Sequence, residues 1–87
     1  SAGTGTVPIG YEQGFITMWG RPNAGNTGYL SISIPLSQLS TTSTQVIFAD
    51  DTNQITYNVT KSGSTITFAF VSASSTTAAI DVVYITP

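Results

Sequence analysis

The chain has no cysteine and no histidine, and charge is scarce: two basic and four acidic residues in 87. The charged positions are Glu12, Arg21, Asp50, Asp51, Lys61 and Asp81. Each shortage closes a route. Without cysteine no disulfide forms, and without cysteine and histidine a zinc or other transition-metal site lacks its usual ligands. Two positive charges cannot lay down the basic stripe that a nucleic-acid surface requires. No apolar run approaches the roughly 20 residues of a membrane-spanning helix, so no insertion by a helix is expected. Hydrolytic and transfer chemistry needs a nucleophile beside a base, and here there is one Lys and no His or Cys. No catalytic residue, no metal and no cofactor is expected, and the chain is read as a non-enzyme.

What remains is hydroxyl-rich and β-prone. There are 11 Ser and 15 Thr, set among β-branched and aromatic residues that disordered chains lack. That mixture suits an extracellular or virion surface, uncharged and polar outside with β structure inside. At 87 residues the chain makes one small domain. Such a domain often needs disulfides, metal or oligomerisation, and only the last is open to it. It begins with Ser1 rather than Met, so it is expected to be a piece of a longer protein.

The densest strand signal is Gly14-Phe15-Ile16-Thr17-Met18-Trp19-Gly20, which ends in the only Trp. With a period of two, Ile16 and Met18 share one face, and Phe15, Thr17 and Trp19 the other. Both faces carry bulk, and one small domain cannot easily cover both.

Taken in order, residues 1–10 read as a linker or extended lead-in, rich in Gly and small residues. Residues 11–87 form the domain. Strands are expected at 15–19, 29–34, 45–49, 55–60, 65–71 and 78–85. Pro35 ends the second strand, and Leu36 and Leu39 tuck inward, where a single helical turn is possible. Lys61-Ser62-Gly63-Ser64 is a hairpin turn. The fold class is therefore all-β, a small antiparallel β-sandwich of about six strands. Its expected core is Ile16, Met18, Leu30, Ile32, Ile34, Val46, Phe48, Ile55, Tyr57, Val59, Ile66, Phe68, Phe70, Ile80, Val82 and Tyr84. A second apolar set includes Phe15, Trp19, Ile47, Val71, Val83 and Ile85. Outward apolar patches mark partner surfaces, and this set is the expected interface of a homo-oligomer.

The remaining signals are weaker. Asp50 and Asp51 are adjacent, so they diverge rather than pair as acid and base, and a turn held by Asp and Asn side chains accounts for them. Asp50, Asp51 and Asn53 are too few oxygen donors for Ca²⁺. Asn58-Val59-Thr60 fits the glycosylation pattern but lies inside an expected strand, so it is read as chance. Trp19 is read as a core or interface anchor ahead of a sugar-stacking platform. Arg21 either bonds a ligand or closes a salt bridge with an Asp.

Three features align: Gly14 to Gly20 near the start, Ile32-Ser33-Ile34-Pro35-Leu36 about a dozen residues later, and the closing Ile80-Asp81-Val82-Val83-Tyr84-Ile85. Together they resemble the C-terminal tip domains of bacteriophage tail fibres and tailspikes, over about residues 10 to 86. The pattern is also similar to that of H-type lectins. The resemblance implies a trimeric sandwich on the distal tail fibre of a virion, serving receptor binding and host adsorption. Its partners would be copies of itself and a bacterial surface glycan or outer-membrane protein. The closing strand departs from many fibre tips in lacking a Gly after Tyr84-Ile85, and the family carries over no fixed binding residues. The alternatives are a trimerisation cap that binds nothing and a carbohydrate-binding module of an adhesin or enzyme.

Strand parity proposes the binding end. If an entering shaft precedes the first strand and six strands alternate, the loops at 21–28, 50–54 and 72–77 are distal. The expected receptor-binding residues there are Arg21, Asn23, Asn26, Asp50, Asp51 and Asn53.

Overall fold

A computed structural model describes residues 2–23 and 29–87. Seven strands are present: β1 (Ala2–Thr6), β2 (Phe15–Arg21), β3 (Leu30–Pro35), β4 (Thr44–Ala49), β5 (Gln54–Ser62), β6 (Thr65–Ala73) and β7 (Ala79–Thr86). They form two antiparallel sheets, one in the order β1-β6-β5-β4 and the other β3-β2-β7. The expected all-β class is what the chain adopts. Among the described residues the single helical piece is a 3-10 turn at Leu36–Gln38, just behind Pro35, where a turn was possible.

The core lies between the sheets and is built by alternation. Ile16 and Met18 of β2 are buried against Val46 and Phe48 of β4, Ile55 and Val59 of β5 and Ile66 of β6. Gly20 continues the inner row of β2, where a Cβ would stand 3.1 Å from the Phe48 ring. A side chain at position 20 would press on that ring, which would have to give by a few tenths of an ångström. At the other end of β2 a Cβ on Gly14 would overlap the Thr86 carbonyl oxygen, so glycine also lets β7 close on the start of β2. Gly63 takes a φ of +59° in the tight turn between β5 and β6, a conformation that suits glycine.

Three expectations are corrected. Residues 2–6 are not a free lead-in: Ala2–Thr6 pairs along β6, from Ala2 beside Ala69 to Thr6 beside Thr65. Its Gly-Thr alternation has no apolar face, so nothing in its hydropathy marks it as a strand. Val7, which follows it, is buried in the core.

Second, the face assignment of the last strand fails after Ile80. The β2–β7 register shifts between Trp19 and Gly20, so that Gly20 pairs with Ile80 and Trp19 with Val82. Asp81 is the extra residue of a β-bulge. A one-residue insertion reverses which side chains face inward. Ile80 and Ile85 pack on the core, while Val82 and Tyr84, expected there, are exposed. Third, Leu30 and Phe70 are also exposed rather than buried. Leu30 opens an edge strand. Phe70 sits beside a second register shift that sets Val71 out of line, and it packs edge-on against Tyr57 at 5.7 Å.

The sandwich is closed along one side, where β3 and β4 meet, and open along the other. On the open side β1 presents Gly3 and Gly5 inward, paired with Phe68 and Ile66. With no side chain to offer, β1 leaves a groove of about 480 Å³ between itself and β7, lined in part by Ile16, Ile66, Phe68, Val83 and Ile85.

Candidate functional site

The chemistry-bearing residues fall on three surfaces. The first is the end where β2, β4 and β6 finish. The sequence placed the loops at 21–28, 50–54 and 72–77 together, and the described parts of them do meet. Asp50 Oδ1 accepts from the backbone N–H groups of Thr52 (2.8 Å) and Asn53 (2.7 Å), an Asx turn. Ser74 donates its hydroxyl to Asn53 Oδ1 at 3.2 Å and accepts from the Gln54 N–H at 2.8 Å. Thr77 donates to Asn23 Oδ1 at 3.2 Å. These bonds join Asn53 and Asn23 to the neighbouring loop, while Asp50 holds its own turn. Asp51 is exposed at the rim. Asn26 lies outside the described residues.

The parity argument for which end is distal loses its premise. β1 runs antiparallel to β6 toward the Lys61–Gly63 end, before β2 begins. With one more strand at the start, the same rule puts the opposite end away from an N-terminal shaft. The grouping of the loops stands; their distal assignment does not follow from parity.

The second surface is the outer face of β3-β2-β7. In register across it lie Pro35, Phe15 and Thr86, then Ser33, Thr17 and Tyr84, then Ser31, Trp19 and Val82. Thr17 and Ser33 share a hydrogen bond of 2.8 Å between their hydroxyls. Phe15, Trp19, Val82 and Tyr84 all stand exposed, as does Tyr29 just ahead of β3. Trp19, Tyr29, Asp81 and Val82 together line a hollow of about 250 Å³. Two consecutive residues of a regular strand point to opposite faces. Asp81 and Val82 line the same hollow, and the bulge is the feature that departs from that rule.

Arg21 makes its charge contact there, the salt bridge with an Asp that was one of its two sequence readings. Its Nε stands 3.3 Å from Asp81 Oδ2, with both side chains about one-third exposed. The approach is one of charge rather than an aligned hydrogen bond: the buried Nε meets no acceptor in line among the described residues.

The third surface is the open side. Here the expected interface set divides. Phe15 and Trp19 lie on the outer face of the small sheet. Ile47 and Val71 are exposed on the larger sheet. Val83 pairs with inward-facing Met18 and lines the groove, and Ile85 packs on the domain's own core. The six residues therefore do not form one patch, contrary to the expectation from alternation alone.

Sequence reading missed Tyr29, Val82 and Tyr84 as surface groups of one face. Tyr29 was within reach, since it shares the parity of Ser31 and Ser33. The other two depended on the bulge, which has no signature in this sequence. No family model, no curated protein and no solved structure matches this chain.

Proposed function

We propose that the domain is the trimeric tip of a bacteriophage tail fibre and attaches the virion to a receptor on the bacterial surface, a glycan being the receptor class its surface suits best. It acts by binding and not by catalysis. The observation that supports this is β7. That strand leaves Val82 50% and Val83 40% exposed on opposite sides of the sheet, and its outer edge has no partner strand among the described residues. Beyond the bulge at Asp81 that edge is apolar, and an exposed apolar edge is a pairing surface that natural proteins blunt or cover. β7 carries a single charge, Asp81, and that charge is paired. Copies of the same chain are the cover supplied by an assembly about a fibre axis, with Val83 and the open groove at the contact.

Receptor contact is assigned to the end where the three loops converge, which requires a shaft to attach other than straight into β1, since β1 starts toward that same end. Its support is the grouping of hydroxyl and amide groups there and the adjoining aromatic hollow. The test has two parts. Light scattering on the 87-residue chain should give three chains per particle, and a stable monomer at micromolar concentration defeats the assembly. Binding to a panel of whole bacterial strains should fall when Asn23, Asn26, Asp51 and Asn53 become Ala, and hold when Lys61 and Ser62 do. Loss with the second set alone reverses the binding end.

A further inference from the structure

We infer that the hollow formed by Trp19, Tyr29, Asp81 and Val82 is a subsite for one neutral pyranose ring of that glycan. The inference rests on the receptor being a glycan, and it moves the central contact from the loops to the sheet face beside them.

The occupant follows from what the hollow offers. Two exposed aromatic side chains, Trp19 and Tyr29, supply flat apolar walls with electron-rich faces. The Asp81 carboxylate on the bulge lines the same hollow, its Oδ2 3.3 Å from Arg21 Nε, and offers oxygen acceptors to hydroxyl groups. A ligand that fits must show an apolar face to the rings and, at its edge, hydroxyl groups that donate to a carboxylate. A pyranose has both: a patch of C–H groups on one face and a rim of hydroxyls.

The competing occupant is a second copy of this chain, and the charges argue against it. Covering the hollow with an apolar face would bury Asp81 and Arg21 from water without adding a hydrogen-bond partner, which is costly even for a paired charge. The open groove on the other side of β7 has no such charge in its lining and is the contact proposed between copies. A phosphate or other anionic ligand is disfavoured because it would meet Asp81 at close range.

The chain has one Trp, so its emission reports the hollow directly. The experiment is a fluorescence titration of the intact chain with D-galactose, D-glucose, N-acetyl-D-glucosamine and L-rhamnose. The control is D-sorbitol, an open-chain polyol that carries the hydroxyls with no ring face to stack. At least one sugar should shift the emission to shorter wavelength and saturate, and D-sorbitol should not. Asp81→Asn should weaken that response about tenfold, the loss expected when a charged acceptor becomes a neutral one. Tyr29→Ala should abolish saturation; it lies outside the strands, so this variant tests the hollow even if Asp81→Asn disturbs the bulge. No saturable response to any of the four sugars overturns the inference, and so does emission that changes on dilution of the protein but not with sugar. A monomer that binds sugar would sink the fibre-tip reading and keep this one. A trimer that adsorbs to cells while Trp19 stays silent would do the reverse.

Discussion

The two sheets turn very different faces to the outside. Across the outer face of β1-β6-β5-β4 the register sets Gln45 beside Asn58 and Ala69, Thr4 beside Thr67 and Thr60, and Thr6 beside Thr65 and Ser62. Beyond Ile47 and Val71 at one end, it is a carpet of hydroxyls and amides. The outer face of β3-β2-β7 carries Phe15, Trp19, Val82 and Tyr84, with the bonded hydroxyls of Thr17 and Ser33 crossing between them and Ser31 and Thr86 on its outer strands. Both sheets bury a similar inner face, so stability does not require the difference. Thr and Asn on a pleated surface satisfy water with no net charge, and that sheet is finished as it stands. The aromatic sheet leaves surface that gains by being covered.

The comparison breaks most completely if the aromatic sheet cannot close. Gly14→Ala drives a methyl group into the Thr86 carbonyl oxygen, a backbone atom that cannot turn aside. The end of β7 must then leave β2, at a cost of about 3 kcal/mol, the upper range for overpacking. For a domain of this size that is a large fraction of its stability, and a fall in thermal midpoint of more than about 10 °C is the expected calorimetric result. An unchanged midpoint would show that β7 is held elsewhere. Ala substituted at Gly3, where a Cβ meets nothing within 4 Å, is the matched control on the hydroxyl sheet.

Next in size is a charge on either side of the contrast. Val83→Asp places an unpaired carboxylate in the open groove, and the proposed contact between copies should weaken by about a hundredfold, read as dissociation in sedimentation or light scattering. Thr67→Lys, in the middle of the hydroxyl carpet, should change neither mass nor stability beyond about 0.5 kcal/mol. If the two variants behave alike, the sheets do not differ in what they meet.

The same contrast explains what could be read from the sequence. The strands of the core were legible because Ile16 and Met18, Val46 and Phe48, and Ile55, Tyr57 and Val59 alternate cleanly with polar residues. β1 was not, because Gly and Thr alternate without an apolar side, and only its pairing to β6 reveals it. The aromatic face was half legible. Phe15 and Trp19 follow from period two, whereas Val82 and Tyr84 were assigned to the core because no residue announces that Asp81 is an insertion in the register. The convergence of the three loops was legible, since it needs only that neighbouring strands alternate. Which end is distal was not, since one unseen strand reverses the answer.

A smaller effect should come from the loop end. Asp50→Ala removes the acceptor that holds the Thr52 and Asn53 N–H groups. The turn is exposed, so water replaces much of what is lost, and a cost of about 1 kcal/mol is expected in denaturant unfolding. Because Asn53 also accepts from Ser74, the loss should spread to the β6–β7 loop, visible as faster amide exchange at Ser74 and Gln54. Exchange confined to residues 50–53 would mean that the loops touch without supporting one another.

The smallest expected effect gives the finest test, because it asks what the aromatic face is for. Thr17 and Ser33 form the polar seam that crosses it, with Thr17 nearly buried and Ser33 exposed. Thr17→Val keeps the β-branched shape, removes the hydroxyl and leaves the Ser33 hydroxyl free to turn to water. The unsatisfied group is therefore not trapped, and the net cost should stay at about 0.5 kcal/mol, the low end for a single hydrogen bond. The variant also joins Phe15 and Trp19 into a continuous apolar surface. If that face met another copy of the chain, the added apolar area would tighten assembly, and the dissociation midpoint would move to lower concentration. If the face receives a sugar at the Trp19 end while copies meet at the groove, assembly stays as it was, and so does the sugar response, since Thr17 does not line the hollow. The expected result is unchanged assembly with slightly lowered stability, and tighter assembly would transfer the aromatic face from the receptor to the trimer.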